Sequence, residues 1–120
     1  MDNTTNIDEL KEKIKNFCEQ RDWDQYHNAK ELAIGIVTEA SELLDHFRFK
    51  SYEEIDQMFL KEDKRQLISE ELVDVFYFVL RLAQRYNIDL AEELDKKLIK
   101  NNNKYPIEKS KGSNKKYTEF

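Results

Sequence analysis

The chain has 120 residues, of which 38% are charged, with two glycines, one proline and one cysteine. So few turn-formers exclude a small sheet protein with tight hairpins and point to long helices in a single domain. A net charge of −5 gives no general attraction to a nucleic-acid polymer, and a lone cysteine, Cys18, excludes an internal disulfide framework.

Helix starts are legible from an acceptor side chain followed three positions later by Glu. Asn6 and Glu9 open a first helix, with Ile7, Leu10, Ile14 and Phe17 along one stripe. Cys18, beside Phe17, reads as a buried, inert thiol. Asn28 and Glu31 open a second helix reaching about Phe47 or Arg48. Ser51 and Glu54 open a short third helix ending near Leu60. A long fourth helix is predicted from about Asp63 to Tyr86. Asp89 and Glu92 open a fifth that ends near Asn101 to Asn103, before Pro106.

The expected fold is therefore all-α: a four-helix-bundle-type core of antiparallel long helices, with a short extra helix. Residues 1–108 form the domain, and 109–120 form a basic C-terminal tail. No apolar run approaches a membrane span, and the N-terminal residues lack a signal-peptide pattern, so a cytoplasmic protein is expected. The fourth helix is apolar on more than one face (Leu72, Val73, Val75, Phe76, Phe78, Val79), which predicts a homo-oligomer, dimer or tetramer.

Two helices carry acids within apolar stretches. Glu39 and Glu42 share a face of the second helix, and Glu71 and Asp74 share a face of the fourth. From Leu72 to Ala83 the fourth helix reads as buried, so Asp74 needs a partner. If the two helices pack together, the carboxylates meet, and they stay ionised together only with cations. A hard cation with oxygen ligands suits them, Mg²⁺ above all. A di-iron bundle site wants Glu-x-x-His, but Leu43 precedes His46 by three and Asp24 precedes His27 by three. One cysteine and two histidines make a poor zinc set.

Glu39-Ala-Ser-Glu42 followed by Glu71-Leu-Val-Asp74 resembles the ExxE…ExxD signature of the all-α nucleoside triphosphate pyrophosphohydrolases, the MazG-like superfamily. Residues 21–49, 70–90 and 96–120, the last including Lys104-Tyr105-Pro106 and 116–119 (KYTE), are similar to the dCTP pyrophosphatase branch. The resemblance implies Mg²⁺-dependent hydrolysis of a nucleoside triphosphate to the monophosphate and pyrophosphate, in nucleotide-pool house-cleaning. It also implies a dimer or tetramer whose active sites are completed by neighbouring subunits.

Under the resemblance, Glu39, Glu42, Glu71 and Asp74 match the metal-binding catalytic acids, with Glu39 a candidate proton acceptor. Trp23, His27, Phe49, Tyr77 and Asn101 match base- or sugar-pocket positions. Lys30, Lys97, Lys104, Tyr105, Lys109 and Lys111 are candidates for the phosphate side. The sequence departs from the family where small glycines become Thr38 and Ser41, and where Phe47-Arg48-Phe49 replaces Phe-Gln-Trp. The second departure bears on base stacking. dCTP or a modified dCTP is the expected substrate, with dUTP, a broad range of triphosphates, or a non-catalytic nucleotide-binding module as alternatives.

Overall fold

The structure, a computed structural model, describes residues 1–120 and is helical throughout. Its helices are α1 (Ile7–Glu19), α2 (Ala29–Asp45), α3 (Tyr52–Leu60), α4 (Glu62–Arg85), α5 (Leu90–Lys104) and a short α6 (Ile107–Ser110). Single 3-10 turns lie at Asp24–Tyr26 and Tyr117–Glu119.

The caps explain the boundaries. Asn6, Asn28 and Asp89 each accept the backbone N–H three residues on, from Glu9, Glu31 and Glu92. At Ser51 the bond is reciprocal: its hydroxyl accepts from Glu54 N–H, and Glu54 Oε1 accepts from Ser51 N–H. α2 ends at Asp45, short of the expected Phe47, because the backbone tightens into turns closed by Phe47 N–H to Leu44 O. α5 runs to Lys104 at the proline stop.

Two compact units divide the chain, residues 1–87 and 88–120. In the first, α4 packs against α2, α1 and α3, chiefly α2. The α2–α4 pair is antiparallel: at the start of α2, Ala29 N–H donates to the Tyr86 hydroxyl oxygen at 2.7 Å at the end of α4, while Gly35 meets Phe78 farther along. Cys18, Leu32, Ile68, Leu80 and Ala83 form the buried apolar core.

The expected burial of the stretch from Leu72 to Ala83 holds only at its C-terminal end. Leu80, Arg81 and Ala83 are buried, whereas Leu72 and Val73 are more than half exposed and Phe76 is 41% exposed. α1, α2 and α3 cover only part of α4, and the remaining apolar faces lie on the surface of the single chain.

In the second unit, Tyr105 packs edge-on against both Tyr117 and Phe120, and the Lys104 ammonium lies 5.0 Å from the Tyr117 ring centre. The segment 109–120 thus folds back on the end of α5. No helix is long and apolar enough to cross a membrane.

Candidate metal and nucleotide site

The antiparallel α2–α4 pairing brings the acids together. Glu39, Glu42 and Glu71 each offer an oxygen, and these lie within 4.8 Å of one another. Glu39 and Glu71 are half-buried, and Glu42 faces solvent. Oε2 of Glu39 and Oε2 of Glu71 are buried without a hydrogen-bond partner. Unpaired buried carboxylate oxygens are costly, and none of the chain's ion pairs involves these acids.

Burial, then the adjoining Glu42 carboxyl and the charges of Asp74 and Glu71, lift the Glu39 carboxyl above its usual value. Burial, then Glu42 and Asp74, lift Glu71 in the same way, and His46 partly offsets this. Asp74 is exposed on α4 and stands outside the tight group of three, close enough for its charge to reach both. A divalent cation fits this donor set: oxygen-only, anionic, with buried acceptors facing no donor.

The other expected positions fall into separate groups. Trp23 and His27 are neighbours, with ring centres 6.1 Å apart. Phe17 stands edge-on to Trp23 at 5.6 Å and to Tyr77 at 6.2 Å, joining all of them in one aromatic cluster. The Tyr77 hydroxyl is 3.2 Å from the buried Cys18 thiol, and burial followed by this contact raises the phenol well above its usual pKa. Lys30 is exposed on the first turn of α2.

Phe49 makes no ring contact with that cluster. It is 93% exposed, in the left-handed region with φ 61°, under the Arg48 guanidinium at 4.9 Å. Arg48 also pairs with Asp45 at 3.6 Å, both exposed. Lys97, Asn101, Lys104 and Tyr105 belong to α5 and its end in the second unit, where Asn101 is half-buried and both lysines are exposed.

Asp24, Arg81, His46 and Gly35 were not marked as site residues by the sequence. His46 had a readable signal, since it follows Glu42 by one helical turn. Arg81 had none: a lone arginine in an apolar helix does not reveal that Asp24 and His27, far away in the chain, will meet it.

The MazG-like family model matches residues 34–120. The chain is 32% identical over 114 residues to dCTP pyrophosphatase 1 of Rattus norvegicus, covering 95% of this chain and 67% of the relative. It is 30% identical over 114 residues to dCTP pyrophosphatase 1 of Homo sapiens, with 95% and 67% covered. A crystal structure of a pyrophosphatase from Archaeoglobus fulgidus superposes with a TM-score of 0.77 at 33% identity, over 83% of this chain and 92% of that one.

Proposed function

This chain belongs to the MazG-like family, and we propose that it hydrolyses a nucleoside triphosphate to the monophosphate and pyrophosphate, with dCTP or a modified dCTP as substrate. It is a nucleotide pyrophosphatase. The observation that carries the reading is the pair of buried, unpartnered oxygens on Glu39 and Glu71 beside Glu42, in a chain similar to dCTP pyrophosphatases along nearly its whole length.

Glu39, Glu42, Glu71 and Asp74 would hold Mg²⁺. When bound, the ion neutralises charge on the triphosphate and acidifies a water. Water attacks the α-phosphorus, the α–β anhydride bond breaks, and pyrophosphate leaves. An oxygen of Glu39 left free of the metal would take up the proton that water releases.

Trp23 and Tyr77 supply aromatic faces on the base side, which stack on any base, with His27 and Phe49 as further contacts. Lys30 is a phosphate-side candidate in the first unit; in the second, the resemblance to dCTP pyrophosphatases suggests Lys97, Lys104 and Tyr105 for phosphate and Asn101 for base or sugar. The exposed apolar side chains of α2 and α4, among them Val37, Leu72 and Val73, support a homodimer or homotetramer in which a second copy covers them. A single buried thiol suits a reducing compartment such as the cytoplasm.

A turnover screen over the dNTPs, the NTPs, dUTP and 5-methyl-dCTP with Mg²⁺, with products resolved by chromatography, tests the reading. Monophosphate plus pyrophosphate, fastest from cytosine nucleotides, is expected. Another preferred base would keep the reaction and change the substrate. Diphosphate plus phosphate would mean attack at the γ-phosphorus and would overturn it.

A further inference from the structure

Arg81 is the largest fully buried side chain in the protein. A buried guanidinium is tolerated only when its charge and its donors are satisfied. Its Nη2 pairs with Asp24 Oδ1, Nη1 donates to Gln84 Oε1 at 2.6 Å, and Nε donates to His27 Nδ1 at 3.0 Å.

The last bond has a chemical consequence. A guanidinium is a donor at every nitrogen and keeps its charge throughout the working pH range. The ring nitrogen facing Nε must therefore present a lone pair, and the single ring proton must reside on Nε2. We infer that Arg81 is a positioning residue that holds His27 as the neutral Nε2–H tautomer, with Nε2 a fixed hydrogen-bond donor to an acceptor atom on the base of a bound nucleotide.

The surroundings support the lock. Arg85 donates from Nε to the His27 carbonyl at 3.4 Å and lies 3.6 Å from Asp24 through Nη1, so the 3-10 turn at Asp24–Tyr26 is pinned to α4 from both sides. Protonating Nδ1 would break the Arg81 bond and set an imidazolium beside two guanidinium groups. Asp24 alone favours the charged ring. Burial, then Arg81, hold His27 below its usual value, with Asp24 opposing and Arg85 assisting. A neutral donor, unlike a charged one, rewards an uncharged acceptor without drawing in phosphate.

The identity of the ligand rests on the proposed function, whereas the tautomer does not. Long-range ¹H–¹⁵N spectra of nucleotide-free protein read the ring directly. Wild type should show a non-protonated Nδ1 and a protonated Nε2 at about pH 7, and the ring should gain a second proton only at a lower pH than a free histidine does. In Arg81→Lys the pattern should revert to a titrating mixture. His27→Leu should raise nucleotide KM about five- to tenfold, as for one lost hydrogen bond, with kcat changed far less. His27→Gln, whose amide N–H reaches near the same place, should recover part of that loss.

A wild-type ring protonated at Nδ1, or titrating as a free imidazole, overturns the lock. So does an Arg81→Lys spectrum identical to wild type in a folded protein. If Arg81→Lys fails to fold, the wild-type spectrum and the His27 variants still decide. An unchanged KM in His27→Leu overturns the donor role. Absence of any wild-type turnover would instead overturn the proposed function, and the spectra would score the lock independently.

Discussion

The ring of Phe78 occupies the space a Cβ on Gly35 would need, with Cδ1 and Cε1 each 2.6 Å from that position. Gly35 lies one helical turn before Glu39, and Phe78 one turn after Asp74. The missing side chain thus sets how closely α2 approaches α4 beside the acids. Gly35→Ala gains helix propensity and still should destabilise the protein by about 1–3 kcal/mol, because the clash reaches Cγ of the ring. Turnover should fall as the carboxylates part. Urea unfolding and a rate assay measure both, and a fully active, equally stable variant would show that the spacing is set elsewhere.

Metal should stabilise the fold as well as serve the chemistry. The unpartnered oxygens of Glu39 and Glu71 weaken the metal-free protein, and a cation that binds only the folded state adds stability by mass action. At a hundredfold excess over Kd the gain is about 2.7 kcal/mol. Mg²⁺ should raise the Tm, EDTA should reverse the rise, and Na⁺ at equal ionic strength should not reproduce it. A Tm indifferent to Mg²⁺ would remove the metal assignment from these acids.

The caps at Asn6, Asn28, Ser51 and Asp89 were legible because they are local: a side chain meets an N–H three residues on. The meeting of Glu39, Glu42 and Glu71 was legible too, since paired acids in apolar helices are costly unless they share a purpose. The buried charge was placed less well. Asp74 looked like the buried group of α4, yet it is exposed, and the fully buried charge on that helix is Arg81. Hydropathy cannot separate them, because burial depends on which neighbour arrives, and here Asp24 and His27 arrive from a link whose path no local pattern fixes. Phe49 shows the same limit. It sits in an aromatic-flanked motif and is nevertheless 93% exposed in the single chain.

Acid should weaken the anchor of that link. The hydrogen bond from Arg81 holds the Asp24 carboxyl below its usual 3.8, and the Ser51 backbone N–H and hydroxyl hold Glu54 below its usual 4.5. A depressed folded-state value means that the unfolded chain binds more protons in the window between the two values. The stabilisation is fully present above the unfolded values and is lost as pH falls through the folded ones. Asp24→Asn should therefore be less stable than wild type at pH 7, with a gap that closes on acidification below about pH 4. Chemical denaturation across that range measures it, and a gap independent of pH would assign the Asp24 effect to packing.

Asp74 tests the site most sharply because it stands at its edge. Its charge reaches Glu39 and Glu71, but its oxygens lie outside the group of three. Asp74→Asn should abolish Mg²⁺-dependent turnover, a loss of about a hundredfold or more, while circular dichroism stays helical. Glu71→Gln should do the same and, unlike most substitutions, should leave the metal-free protein more stable, since it removes a carboxylate that burial and Glu42 already disfavour. It should also lose the Mg²⁺-induced rise in Tm. Activity lost together with greater metal-free stability marks a group kept for chemistry at the expense of the fold. Wild-type turnover in Asp74→Asn would confine the working site to Glu39, Glu42 and Glu71, and collapse of the helical signal would make Asp74 structural.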